Sequence, residues 1–460
     1  MRFLLEDIVE ACQAEVAVWL QSEFCEVLTD TRKVTEGCLF IALKGEKFNG
    51  EDFLAEAAQK GAVGLLVSSA CPREKYEELG VTVLVVEDTL LAYQQIGRMW
   101  RDSFTMPMVA ITGSNGKTTT KDFTAAVLSA RGPVLKTKGN FNNEVGIPLT
   151  LLAIRQEHKA AVVEIGMRGL GQIESLAKFV KPQIGVVTNV GETHMEILGS
   201  LENIAKAKAE LVEAIPAGGV VVLNQDNQYV AAMRKKVAAG VRVLTFGIEK
   251  SANVEASQIR TKGEETEFIC KTAGCKYLCR IPMVGRHNVY NALAAIAVGI
   301  SQGMTMAEIQ RGLMNFVPTG MRFECKAMGL YTVINDAYNA SPMSMSAAID
   351  TLADIAKGRK IAVMGDMLEL GSVAEEAHRN VGRELAEIAA DILLTRGEMG
   401  EYIAAGAEEK GMKNVYRCKS HEEAGKKLNE LLQPGDTVLF KGSRGMQMEK
   451  IIDLVDWQEA

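Results

Sequence analysis

The sequence predicts an α/β protein of three domains, and three observations carry that expectation. The first is length: 460 residues exceed what one hydrophobic core usually organises. The second is rhythm. Short, apolar, β-branched runs alternate with helix-patterned stretches through most of the chain, as strands and helices do in α/β folds. The third is a break. In "VPTGMRFE" (317–324), Pro318 and Gly320 interrupt regular structure and mark a linker. The expected units are a small α/β domain over 1–86, a central domain on a parallel sheet over 87–317, and a Rossmann-like α/β domain over 318–460.

In the first unit, "CLFIAL" (38–43), "AVGLLVS" (62–68) and "VTVLVV" (81–86) read as strands. Between the first two, "EDFLAEAAQKG" has helical spacing and ends on glycine. A helical stretch, "TLLAYQQIGRMWRDSF", then leads to Pro107. In the second unit "MVAIT", "AAVVEIG", "IGVVTNVG", "VVVLNQ" and "RVLTFG" are continuous apolar runs separated by helical segments. Such runs suit a parallel sheet covered on both faces. In the third unit "YTVIND", "KIAVMGD", "ADILLTRG" and "DTVLFKGS" repeat the rhythm. Each runs into a polar or glycine-bearing turn, and such turns at strand C-termini form the ligand crevice of open α/β sheets.

Composition narrows the class. A net charge of −7 argues against nucleic acid as the main partner. The start, "MRFLLEDIVEACQ", has acids inside its apolar run and does not read as a signal peptide. No stretch approaches the uncharged apolar length of a membrane span. The nine cysteines lack the paired spacing of a zinc site and read as reduced thiols of a cytoplasmic protein.

The chemistry is concentrated in "AITGSNGKTTTKDFTAAVLSARG" (110–132): one strand, one glycine turn and one amphipathic helix. That order gathers backbone N–H groups and a helix N-terminus around one point, where an anion fits. Gly113 and Gly116 allow close backbone approach; Lys117 adds a full charge toward the phosphates, and Thr118 offers a hydroxyl to Mg2+. Ala110 stands where the general phosphate-loop pattern has its first glycine, so the strict pattern is not met. Glu164 ends the strand "AAVVE", and a carboxylate leaving a neighbouring strand beside such a loop can hold Mg2+.

At "GSNGKTTT" the sequence resembles the Mur ligase family, ATP-dependent enzymes that add amino acids to the peptidoglycan precursor. The resemblance continues in family order through "TKGNFNNEVGIPLTLL", "EIGMRGLGQI", "TNVGETHMEILGS", "GRHNVYNALAA", "NDAYNASPMSMSAA", "MGDMLELG" and "KGSRGMQME". "DAYNASPMSM", "GDMLELG" and "KGSR" are similar to the member that joins D-alanyl-D-alanine to UDP-N-acetylmuramoyl-tripeptide. The resemblance implies that ATP phosphorylates the tripeptide carboxylate and the dipeptide amine then attacks, releasing ADP and phosphate. A monomer using ATP and Mg2+ is expected.

Residue roles follow by motif. The resemblance makes Gly113, Ser114, Asn115, Gly116, Lys117, Thr118 and Thr119 the phosphate loop, and Thr118, Glu164 and His194 of "GETH" metal ligands. "IAKAKAE" matches the segment whose lysine is carbamylated by CO2; Lys208 fits the register best and Lys206 competes. Asn288 and Asn291 become adenine contacts, and Arg322 and Asp336 reach the nucleotide from the third domain. Lys117, Lys208, His194 and Arg322 are the expected catalytic set. "TDTRKV" and "ALKGEKFNGEDFL" match the segments that bind the UDP end, through Thr31, Arg32, Lys44, Phe48 and Gly50, with Asn49 where aspartate is expected. Asn140, Asn142, Asn143, Arg168, Tyr338, Asn339 and Arg444 complete the expected substrate contacts. Two other readings stand beside this one: a sister ligase for another amino acid, and a non-catalytic ATP-binding regulator. A regulator would tolerate loss of Lys117, Glu164 or His194, and all three are present.

Overall fold

The computed structural model describes residues 2–45, 48–318 and 320–458, and builds them on three large sheets with helices packed against them. In the first unit Leu39–Ile41, Gly64–Ser68 and Thr82–Val86 lie side by side in parallel, each inside one of the apolar runs. Glu15–Val18 closes one edge antiparallel and Val27–Leu28 closes the other. The segment between the first two central strands divides into a 3-10 turn, Gly50–Phe53, and a helix, Leu54–Gln59. Gly50 is needed there because a Cβ would lie 2.8 Å from the backbone of Ala42 and Leu43.

Helix Thr89–Asp102 joins the first unit to the second. Asp88 starts it by accepting hydrogen bonds from the amides of Leu90 and Leu91 at 2.8 and 3.0 Å. Its apolar face, with Tyr93, Ile96 and Trp100, packs against helices Leu5–Cys12 and Gly146–Leu152. Trp100 stacks on Phe3 at 4.0 Å and donates through Nε1 to the carbonyl of Ile154.

The central sheet has Met108–Thr112 in its middle, flanked by Ala160–Glu164 and Ile184–Val187. Its strands run parallel from Val134–Lys136 at one edge through Val220–Asn224 and Arg242–Gly247 to Val254–Lys262. The sheet then continues where the sequence pattern is silent. Glu265–Thr272 and Cys275–Ile281 add two antiparallel strands. Only one face of this extension is covered: Phe268, Cys270, Cys279 and Ile281 are buried, whereas Lys276, Leu278 and Arg280 are exposed. Outward Lys271, Lys276 and Arg280 interrupt the apolar runs and hide such strands from a search for continuous ones. All nine cysteines are free thiols.

In the third unit Tyr331–Asp336, Thr437–Lys441, Lys360–Gly365, Ile392–Arg396 and Val415–Cys418 form a parallel sheet in that order. Glu324–Met328 pairs antiparallel with Tyr331–Asp336 at the edge. The last parallel strand and the antiparallel one were not expected from the sequence; both are short or half-exposed. Apolar packing continues from helix Arg286–Ser301 of the second unit to helix Pro342–Ile355 of the third, so the two units share a core boundary. Among the described residues no helix is long and apolar enough to cross a membrane.

Candidate active site

Strand Met108–Thr112 delivers the chain to the turn Gly113–Gly116, and helix Lys117–Leu128 leaves it. The turn is pinned rather than free. The Ser114 hydroxyl donates to the carbonyl of Gly191 and accepts from its amide, both at 3.0 Å. The amide of Asn115 donates to Asn189 Oδ1 at 2.8 Å, and the Thr188 hydroxyl donates to the Asn115 carbonyl at 2.6 Å. Thr188 lies so near Gly113 that any Cβ there would strike its hydroxyl. Gly116 has φ 77°, and a Cβ there would strike Asn291 Oδ1. Both glycines are therefore set by close approach as well as by backbone conformation. The first amides of the helix have no intrahelical partner and face the same point.

Lys117 curls back over the loop, donating to the carbonyls of Gly113 and Ser114 at 2.7 and 3.1 Å. Burial pushes its pKa down, Glu164 opposes that, and Arg322 adds to it. Glu164 is buried at the end of its strand. Its Oε2 accepts from the Thr118 hydroxyl and its Oε1 from Asn142 Nδ2, each at 2.7 Å. Thr118 and Glu164 thus form a pair of hard oxygen donors beside the loop. Such a pair fits Mg2+, which keeps water and phosphate oxygens for its remaining positions. Among the described residues no group of three or more His, Cys, Asp or Glu is assembled as a metal cage, so phosphate oxygens would have to complete the sphere.

His194 follows the segment that pins the loop, with a left-handed φ of 56°. Its Nδ1 lies 2.7 Å from Glu369 Oε2 of the third unit. Burial lowers its pKa, Glu369 raises it, and Lys117 and Lys208 lower it again. Lys208, on helix Leu201–Glu213, is 2 % exposed and has no hydrogen bond or ion pair among the described residues. Burial, with Lys117 adding to it, holds its pKa well below the ordinary lysine value. Lys206, two residues earlier on the same helix, is exposed.

The third unit closes the cleft. Met321 and Phe323, on either side of Arg322, are both left-handed, at φ 59° and 54°. Two contacts hold this bent segment: the Phe323 amide donates to Asp336 Oδ1, and the Tyr338 amide to the Met321 carbonyl, both at 3.1 Å. Arg322 is stacked over the Tyr338 ring at 3.9 Å, and its buried Nε has no hydrogen-bond partner among the described residues. Asp336 Oδ2 pairs with Lys441 Nζ, which also donates to the Asn339 carbonyl at 3.0 Å. The Ser341 hydroxyl, at the start of helix Pro342–Ile355, donates to Asn115 Oδ1 at 2.9 Å, so the third unit touches the loop itself.

The loop, Glu164 and the bent segment of the third unit line a cleft of about 910 Å³, enough for a nucleotide with part of a second substrate, whereas His194, Lys208, Ser341 and Glu369 lie outside its lining. Ser114 to Thr119, Asn140, Asn142, Glu164, Asn288, Asn291, Arg322, Asp336, Tyr338 and Asn339 line it. Asn288 and Asn291 are buried and linked: Asn288 Nδ2 donates to the Val284 carbonyl, Asn291 Nδ2 to Asn288 Oδ1, and Thr120 to Asn291 Oδ1. His287 lies beside them, its pKa pushed down to about 4 by burial, with Asp336 opposing and Lys441 adding.

Other expected residues lie outside that lining. Asn143 Oδ1 accepts from the Gly146 amide at 2.9 Å and so starts helix Gly146–Leu152. Arg168 is exposed, and Arg444 pairs with Glu449 at 2.7 Å. Thr31, Arg32, Lys44 and Phe48 sit on the first unit. There Arg32 is held bidentate by Asp30, at 2.9 and 2.8 Å, and that guanidinium takes the Asp30 carboxyl down to about 2. Phe48 is 73 % exposed, and Asn49 caps the turn Gly50–Phe53. Among the residues in or beside the site that were not anticipated are Ser341, Glu369, Lys441 and Asp226. Asp226 is saturated by the amides of Ile248, Glu249 and Lys250 and by the Tyr290 hydroxyl. Ser341, Glu369 and Lys441 lie in the very motifs that carried the family resemblance, which was the signal that could have found them.

Three family models match the chain in order: "Mur ligase family, catalytic domain" over 24–101, "Mur ligase middle domain" over 111–299, and "Mur ligase, glutamate ligase domain" over 321–444. The UDP-N-acetylmuramoyl-tripeptide–D-alanyl-D-alanine ligase of Bacillus subtilis is 38% identical over 94% of this chain and 93% of its own. The Escherichia coli enzyme of the same name is 36% identical over 93% and 92%. A crystal structure of MurF from Acinetobacter baumannii superposes with a TM-score of 0.91 at 32% identity, covering 99% of both chains. MurF from Thermotoga maritima in complex with ADP gives 0.82 at 26% identity, over 93% and 96%. With these likenesses spanning all three units and the phosphate loop at their centre, the chain belongs to the Mur ligase family.

Proposed function

We propose that this chain joins D-alanyl-D-alanine to UDP-N-acetylmuramoyl-tripeptide at the expense of ATP, in cytoplasmic peptidoglycan precursor synthesis. The observation that carries the reading is the meeting of Lys117, Glu164 and Arg322, from three separate segments, in one nucleotide-sized cleft. A tripeptide carboxylate is a poor electrophile. Its oxygen attacks the γ-phosphorus of ATP, the bond to ADP breaks, and an acyl phosphate forms. The dipeptide amine then attacks the acyl carbon, loses a proton, and expels phosphate.

Each residue has a physical task in this scheme. Lys117 exchanges its two carbonyl partners for phosphate oxygens and follows the charge as it moves. Arg322 supplies a second cation from the opposite side, its orphaned Nε included. Thr118 and Glu164 would hold Mg2+, which supplies charge neutralisation on the transferring phosphate. Lys208, buried without a counter-charge, is suited to be neutral, to take up CO2, and to present carbamate oxygens; His194 stands beside it as a further ligand. Asn288 and Asn291 border the base of the nucleotide. The reading is tested by product analysis: ADP release should require both the tripeptide and D-alanyl-D-alanine. ADP release on tripeptide alone at the full rate, or ligation of a different amino acid in preference, would overturn it.

The first unit holds the UDP end. Arg32→Ala should raise KM for the UDP substrate about tenfold, the lower end for loss of one charge-assisted contact, because Asp30 already occupies the guanidinium. KM for ATP should not change; equal effects on both substrates would place the UDP group elsewhere. The cleft is built from two units, so binding should close it. Small-angle scattering should give a smaller radius of gyration with an ATP analogue and UDP substrate than without them. An unchanged radius at saturation removes the closing step.

A further inference from the structure

His194 and Glu369 belong to different units, one following the strand end beside the phosphate loop and the other in the turn after strand Lys360–Gly365. Their side chains meet at 2.7 Å across the boundary. Both residues have left-handed backbones, at φ 56° and 64°, an arrangement that costs free energy for side chains of this kind and persists where surroundings impose it. The Glu196 amide approaches the Glu369 carbonyl at 3.5 Å, and Gly371 packs on the Glu196 backbone with room for no more than a tight Cβ contact at 3.3 Å. So the turn bearing Glu369 is seated on the segment bearing His194 at several points.

A carboxylate can only accept in this pair, so the proton is on Nδ1. That holds the ring in one orientation with Nε2 turned away from Glu369, the nitrogen that the neutral imidazole offers to a metal. Outer carboxylates hold metal-binding imidazoles in this way in many proteins. What is particular here is that the carboxylate comes from the third domain, across the cleft from the segment that bears His194. We propose that Glu369 is a positioning residue: it sets the tautomer and direction of His194 from the third domain, so that His194 is prepared for a metal only while the cleft is closed. The proposal rests on the assignment of His194 as a metal ligand made above. It gives domain closure a second task. Closure brings Arg322 to the phosphates and at the same moment completes the ring orientation on the far side of the loop.

Mn2+ titration followed by electron paramagnetic resonance, on enzyme saturated with a non-hydrolysable ATP analogue and UDP substrate, tests it. Glu369→Ala should weaken Mn2+ binding about 10- to 100-fold. Glu369→Gln, which keeps an acceptor oxygen at the same reach, should recover most of the loss. In 15N-histidine spectra His194 should be the Nδ1–H tautomer in the closed wild type and a mixture of tautomers in Glu369→Ala. Turnover should show kcat lowered and KM for the UDP substrate unchanged. If His194→Ala weakens Mn2+ binding while Glu369→Ala leaves both affinity and tautomer as in wild type, the positioning role is overturned and the ligand assignment stands. If His194→Ala itself leaves Mn2+ binding intact, the ligand assignment is overturned and the positioning role with it.

Discussion

Lys117→Ala should abolish useful turnover, lowering the ligation rate on the order of 10²–10³-fold, the loss typical of one preorganised charge at a transferring group. The fold should survive. Among the described residues the Lys117 ammonium bonds only to carbonyls of its own loop, and the loop is pinned independently by Ser114, Asn115 and Thr188. Truncation removes one positive charge near buried Glu164, but that carboxylate keeps its hydrogen bonds from Thr118 and Asn142. Stopped-flow measurement of ADP formation, with a thermal melt as control, reads both effects. A variant with near wild-type turnover would remove the phosphate-loop reading.

Lys208→Ala should lose most activity, by at least about 100-fold if the side chain supplies oxygens to the metal centre. It should still bind ATP, because the loop is untouched. A short-chain carboxylic acid in the assay should restore part of the rate by supplying the missing oxygens. The physical ground is the environment. A buried ammonium without a carboxylate, next to Lys117, is driven toward the neutral amine, and a neutral amine can capture CO2. Lys206 is exposed, and Lys206→Ala should be close to silent. A dead Lys206→Ala beside an active Lys208→Ala would put the register wrong by two residues. Two active variants would end the carbamate assignment.

The sequence by itself determined the class of fold and the phosphate loop. Buried parallel strands such as Met108–Thr112 and Lys360–Gly365 are apolar throughout because both faces are covered, and a glycine turn followed by Lys-Thr is a local pattern. Local patterns also placed Glu164 at a strand end. Covering on one face only left the strands Glu265–Thr272 and Cys275–Ile281 illegible, since outward Lys271, Lys276 and Arg280 interrupt their apolar runs. The site divided in the same way. Lys208 and Lys206 look alike on a helix of sequence, and burial, a property of neighbours distant along the chain, separates them. Nothing in the sequence shows that Asn143 Oδ1 accepts from the Gly146 amide at the start of a helix. The pairings of Ser341 with Asn115, Lys441 with Asp336 and Glu369 with His194 span 226, 105 and 175 residues. No periodicity reaches so far. Lys441 meets Asp336 because strands Tyr331–Asp336 and Thr437–Lys441 pair within the third unit's sheet, whereas the other two contacts need the third unit to pack against the second, on surfaces that meet after each domain has formed.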